Sequence, residues 1–318
     1  MDGALFLPVA AFALDLLVGD PPAWPHPVRL IGWILDRLES FIQPFSQAKK
    51  RALGLVVTVA LSLGVWGAVR WLTAIPFAGG LIALVLAFSG LALGQLLRET
   101  KRVAAFLQEG RLDAARQALA MLVSREIAHL DEAGLWRTLA ETLSENFCDA
   151  FVAPYFFLCL GGAPLLWLYK TISTMDSMWG YKTARYKDLG WAGARADDLL
   201  AFVPARIAAL VLLAAGWMMR LPSRFPVGQA LTALRADARK MASPNAGWPM
   251  AAAAWLCGAS MGGPAVYFGE TVDKPKLGPE GELWNSERFS ILKKLILCGG
   301  IGTALFFLIS FGGLVIFL

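Results

Sequence analysis

Charge is scarce in this 318-residue chain: 17% of the residues are Asp, Glu, Lys or Arg, against about 25% in an ordinary soluble domain. Histidine is scarcer still. His26 and His129 are the only two, too few for a histidine-based metal site. The four cysteines, Cys148, Cys159, Cys257 and Cys298, form no C-x-x-C pair, so neither zinc nor a disulfide framework is supported. The chain has no G-x-x-x-x-G-K-[ST] loop, no G-x-G-x-x-G turn and no G-x-S-x-G elbow, so any nucleotide must bind outside those standard motifs. No basic run is interleaved with aromatics. The net charge of +5 therefore reads as loops facing anionic lipid, and no nucleic-acid partner is expected.

What the chain has in excess is apolar side chains, 57% of its residues. That excludes a disordered chain and is more than one soluble core could bury. A multi-pass membrane protein follows. The amino terminus, Met-Asp-Gly, has no basic region ahead of its apolar run, which Asp15 interrupts; it reads as a retained membrane segment. Apolar stretches cover about 3–19, 52–72, 77–94, 150–169, 199–219, 250–262 and 295–318. Stretches 52–72 and 77–94 are clear spans joined by a short hairpin, with Gly90 and Gly94 forming a G-x-x-x-G step. Stretch 150–169 is broken at Gly161-Gly162-Ala163-Pro164, as a re-entrant hairpin or a straight span would both allow. Stretch 250–262 is too short to cross alone.

The expected fold is all-α: one integral membrane domain over 1–318, with about four to six membrane helices, some re-entrant. Long helical loops rich in Lys and Arg are expected on the cytoplasmic side of the cell (inner) membrane. Within region 95–149 the pattern predicts helices over 98–108 and 113–125, with Gly110 between them, and a third from an N-cap at Asp131 to about Phe147.

Five segments carry groups able to do chemistry. Glu141, Glu145 and Asp149 recur every fourth residue, which on a regular helix places three carboxylates on one face, drifting about 40° per step. Such a cluster, with Asn146 beside it, suits magnesium; a solvated face with salt-bridge partners fits as well. The segment 171–186 sets Asp176 among hydroxyls and the cations Lys182 and Arg185, which could neutralise phosphate or anchor the chain at a membrane surface. Asp197 and Asp198 could hold a metal or cap a helix, and Arg206 at membrane depth needs a partner, with an aspartate about two turns earlier the obvious one. Gly19-Asp20-Pro21-Pro22 and Trp24-Pro25-His26-Pro27-Val28-Arg29 form a stiff polar loop that places Asp20, His26 and Arg29. The turn-rich Ser243-Pro244-Asn245-Ala246-Gly247-Trp248-Pro249 precedes an apolar stretch, and Gly262-Gly263-Pro264 and Tyr267-Phe268-Gly269-Glu270 share its character.

Taken in order, Gly-Asp-Pro-Pro with His-Pro-Val-Arg-Leu-Ile-Gly (19–32), Glu-Thr-Leu-Ser-Glu-Asn (141–146), Met-Asp-Ser-Met-Trp-Gly-Tyr (175–181), Asp-Asp with Pro-Ala-Arg (197–206) and Ser-Pro-Asn-Ala-Gly-Trp-Pro (243–249) resemble the CobD/CbiB family. These are membrane-bound cobinamide-phosphate synthases of cobalamin biosynthesis. The resemblance runs from about residue 10 to about residue 280. It implies an acid–amine ligase that joins aminopropanol, or its phosphate, to the f propionate of (adenosyl)cobyric acid, with ATP as co-substrate and Mg2+ as cofactor. It further implies Glu141, Glu145 and Asp149 as magnesium ligands, with Glu141, Glu145 and Asp176 catalytic. Substrate would be held by Asp20, His26, Arg29, Asn146, Lys182, Arg185, Asp197, Asp198, Arg206 and Asn245. The chain departs from the family pattern at Glu126, Ser173, Ala201 and Met241. A diverged AmpE-like membrane signalling protein and a transporter are the competing readings. The preferred amine and the oligomeric state are not legible in the residues.

Overall fold

The computed structural model describes residues 3–20, 24, 26–221, 227–267 and 269–317. Met1, Asp2, Pro21, Pro22, Pro25 and Phe268, each part of a segment singled out above, lie outside the described residues. The fold is helical, as expected, with one small sheet that was not. Its elements are α1 (Gly3–Leu17), α2 (Pro27–Ile42), α3 (Gln47–Thr73), α4 (Gly79–Gly90), α5 (Leu93–Gln108), α6 (Leu112–Ala120), α7 (Glu132–Phe147), a π-helical turn (Cys148–Val152), α8 (Ala153–Trp179), α9 (Trp191–Leu200), α10 (Phe202–Met218), α11 (Val227–Ala238), α12 (Gly247–Cys257), strands β1 (Met261–Tyr267) and β2 (Glu270–Leu277), and α13 (Ser286–Phe317). Among the described residues four helical segments are long and apolar enough to cross a membrane: Gln47–Thr73, Gly79–Gln108, Glu132–Trp179 and Ser286–Ser310. A fifth is added if Trp191–Leu200 and Phe202–Met218 form one broken span. Helix α12, with 11 residues, is too short to be another.

The chain forms two compact, interleaved units. The first comprises Met1–Ala92, Ala153–Ala201 and Phe306–Leu318, the second Leu93–Val152 and Phe202–Leu305.

In the first unit α8 is the central element, packed by α1, α2, α3, α4 and α9. Helix α3 shows how an apolar helix divides its faces. Gly54, Thr58 and Ser62 recur every fourth residue on the buried side, and the missing Cβ of Gly54 leaves room for the Leu189 carbonyl, 2.1 Å from where that atom would sit. Small residues at this spacing let backbones approach in lipid. The opposite side exposes Leu55, Val56, Val59 and Leu63. The α3–α4 hairpin closes as the sequence suggested, with Phe77 at positive φ. Within α8, Gly161 and Gly162 leave helical dihedrals just ahead of Pro164, so the expected break is a joint inside the helical run. Trp167 ties α8 to α4 by donating its Nε1–H to the Leu86 carbonyl at 2.8 Å.

In the second unit α12 is buried along nearly its whole length, with Ala251, Ala252, Ala253 and Ala254 inaccessible and α7, α10, α11 and the strands around it. Asp131 caps α7 as predicted, accepting from the Gly134 N–H at 2.8 Å, and Gly110 between α5 and α6 takes φ +69°. Helix α6 ends at Ala120, short of the expected 125. The antiparallel β1–β2 hairpin is a small addition to the helical fold that was expected. It pairs Tyr267 with Glu270 and carries an irregularity between Met261 and Gly263; glycines and two prolines obscure its alternation in the sequence.

Candidate functional site

Each unit gathers one group of the polar residues singled out from the sequence. In the second unit that group is built around Glu141, midway along α7. Its carboxylate is inaccessible. Arg125 Nη1 lies 2.6 Å from Oε2, the Gly262 N–H donates to Oε1 at 2.6 Å, and Arg137 Nε stands 3.9 Å away. Burial works to lower the pKa of Arg125, but Glu141, Tyr267 and Glu145 outweigh it and hold the guanidinium above its ordinary value. Glu141 and Glu145 thus do share a helix face, and Arg125 answers to both. Glu126 extends this joint, pairing its backbone N–H with the Val266 carbonyl at 2.8 Å and accepting the Gly269 N–H at 2.8 Å through Oε1.

This arrangement corrects the expectation of three carboxylates on one metal ion. Glu141 has its charge balanced by Arg125, and its Oε1 takes the Gly262 N–H. Asp149 falls in the π-helical turn, whose wider winding breaks the every-fourth-residue register assumed for a regular helix. Among the described residues no group of three His, Cys, Asp or Glu could hold a metal ion. Asn146 turns back on its own helix, donating from Nδ2 to the Thr142 carbonyl at 3.0 Å.

Arg206 finds partners in the turn ahead of α12: Nη1 donates to Asn245 Oδ1 at 2.8 Å and Nη2 to the Pro244 carbonyl at 3.1 Å. Its guanidinium lies 3.6 Å from the Phe202 ring centroid and 4.8 Å from that of Trp248. Arg206 therefore clamps the Ser-Pro-Asn turn against α10, with buried Asn245 as its anchor.

In the first unit Asp176 occupies the last turn of α8, half-buried, and interacts electrostatically with Asp198 of α9. Glycines make the setting. A Cβ on Gly180 would stand 2.1 Å from Asp176 Oδ1, and one on Gly190 1.8 Å from the Trp179 carbonyl oxygen, so only glycine permits the close approach at either place. Trp179 is 1% exposed, yet its Nε1–H has no hydrogen-bond partner among the described residues. Asp197 is half-buried beside Asp198. This pair of carboxylates could hold a magnesium ion, which takes one or two carboxylates and completes its shell from substrate phosphate and water.

The other predicted residues of this unit are placed as follows. His26 caps α2, its Nδ1 accepting the Val28 N–H at 3.2 Å, and its Nε2 stands 3.6 Å from Asp20 Oδ1. Arg29 and Lys182 are exposed. Arg185 was expected on a phosphate or a corrin carboxylate; instead its Nε and Nη2 lie 2.6 and 2.5 Å from Glu39 Oε1. The hydrogen bond that Arg185 donates to Glu39 raises the Arg185 pKa, and burial, followed by Glu39, raises that of Tyr186. Gln43 and Gln47 add bonds to the carbonyls of Arg185 and Ala184. Glu39 escaped the sequence reading. The signal was available: with Ile31, Leu35 and Ile42 it shares the buried face of α2, and a carboxylate there requires a cation.

The family model described as CobD/Cbib protein matches residues 8–295. Curated relatives include "Cobalamin biosynthesis protein CobD" of Photorhabdus laumondii, 41% identical over 279 residues, covering 85% of this chain and 86% of the relative. The CobD of Geobacter metallireducens, with the same description, is 42% identical over 282 residues (87% and 86%). "Cobalamin biosynthesis protein CbiB" of Salmonella typhi is 38% identical over 275 residues (84% and 85%). No solved structure matches.

Proposed function

The chain belongs to the CobD/Cbib family, and from that membership together with the site geometry we infer that it serves cobalamin biosynthesis as an ATP-dependent acid–amine ligase. Its substrates in this reading are a corrinoid carboxylic acid, (adenosyl)cobyric acid, and aminopropanol or its phosphate. The observation that carries the mechanism is the Asp176–Asp198 pair at the end of an apolar helix.

A carboxylate is a poor acyl donor until one of its oxygens can leave. Its attack on the γ-phosphorus of ATP expels ADP and gives an acyl phosphate. The amine then attacks the acyl carbon, inorganic phosphate departs, and the amine nitrogen gives up a proton. Charge accumulates on phosphoryl oxygens throughout, so fixed cations and donors dominate the stabilisation. Mg2+ held by Asp176 and Asp198 would screen the triphosphate and polarise the phosphorus. Asp176 and Asp198 fix that charge at the membrane edge. Trp179 Nε1–H offers a donor, and exposed Lys182 offers a cation to phosphate. In this reading Glu141 and Arg185 are braces: one docks the β1–β2 hairpin on α7, the other holds segment 181–190 on α2. ATP places the working loops on the cytoplasmic side of the inner membrane.

Membranes carrying the protein, incubated with adenosylcobyric acid, ATP, Mg2+ and aminopropanol phosphate, should yield the amide as a mass gain of the amine less one water. Omitting ATP should abolish it. Amide formed equally well without ATP would exclude a ligase.

A further inference from the structure

Helix α2 has three faces. Ile31, Leu35, Glu39 and Ile42 are buried against α8. Arg29, Asp36 and Ser40 form an exposed polar edge. Between that edge and the buried face, on the other side of the helix, lie Leu30, Trp33, Ile34, Arg37 and Phe41, within an arc of about 100° at 100° per residue. Leu30, Trp33 and Phe41 are 59, 56 and 69% exposed. An aqueous helix would not leave so large an apolar stripe bare, and α2, with 16 residues and four charges, is too short and too polar to cross a bilayer.

We propose that α2 lies in the membrane–water interface, with the Leu30–Trp33–Phe41 stripe sunk to the acyl boundary and the Arg29–Asp36–Ser40 edge in water. Three observations identify lipid as the occupant. The chain passes from α2 through four residues into α3, a membrane-length helix whose exposed face is apolar, so the stripe continues a surface that lipid already covers. The cations on this side lie over aromatic rings: Arg37 is 5.3 Å from the Trp33 centroid and Lys49 is 5.8 Å from that of Phe45, an arrangement that sets a charge at phosphate level above a buried ring. Phe41 and Phe45 pack edge to face with centroids 5.8 Å apart, carrying the stripe to the start of α3. Amphipathic helices with aromatic and basic residues divided in this way lie flat at the headgroup boundary.

Since Glu39 of the buried face holds Arg185, the interfacial helix also fixes the depth of segment 181–190. The test uses the full-length protein in phospholipid nanodiscs, with Cys159 and Cys298 replaced by Ala. A nitroxide is attached singly at Leu30→Cys, Trp33→Cys, Phe41→Cys, Asp36→Cys or Ser40→Cys. Collision with oxygen should exceed collision with a water-soluble nickel chelate several-fold at 30, 33 and 41, and the order should reverse at 36 and 40. Equal nickel access at all five positions would place the helix in water. Exclusion of both agents from 30, 33 and 41, or dipolar coupling between copies there, would assign the face to protein. Any of these overturns the proposal.

Discussion

Replacing Arg125 with alanine should lower the unfolding free energy by about 3–5 kcal/mol, the cost of stranding a buried charge. The side chain is 8% exposed and its partner Glu141 1%, so water cannot replace the lost guanidinium. Arg137, 3.9 Å from Glu141, is too distant to answer the charge in full. The loss should appear as a lower thermal midpoint in detergent and as early proteolysis within the hairpin, because Glu141 also receives the Gly262 N–H of β1. Arg125→Lys should recover part of the loss, since an ammonium supplies charge without the planar fork. A midpoint unchanged by Arg125→Ala would show that the hairpin is held by packing alone.

Asp176→Asn should do the reverse, removing activity and sparing the fold. Amide formation should fall about 10²–10⁴-fold, the range for losing a principal electrostatic or proton-transfer group. The midpoint should hold or rise, because the substitution relieves repulsion with Asp198. The Mg2+ concentration for half-maximal rate should increase in the residual activity. Ser177→Ala, an exposed neighbour, should leave both unchanged. Full activity in Asp176→Asn would remove the carboxylate pair from the reaction.

These opposite outcomes show which parts of the site the sequence could reveal. Helix α7 was legible because its signals are local: Asp131 caps it, and the every-fourth-residue spacing brings Glu141 and Glu145 to one face whatever surrounds them. The role of that face was not legible, because Arg125 and Gly262 come from separate segments. Asp149 was misplaced by the same local logic, since nothing in Cys148–Val152 announces a π-helical turn. Asp176 and Asp198 each stood out, but their meeting depends on α8 packing against α9 through Gly190 and Gly193. The sheet was missed for a related reason. Gly262, Gly263 and Pro264 in β1 and Pro275 in β2 suppress the alternation that marks a strand, and the hairpin is held by Glu126 and Glu141 from distant segments.

The most direct test of the ligase assignment follows one oxygen atom. Adenosylcobyric acid carrying 18O in the reacting propionate should pass one labelled oxygen to each inorganic phosphate released per amide formed, because the carboxylate oxygen leaves with the phosphoryl group. Label in AMP would place the attack on the α-phosphorus instead. Label confined to water, with ATP unconsumed, would contradict activation of the carboxylate altogether.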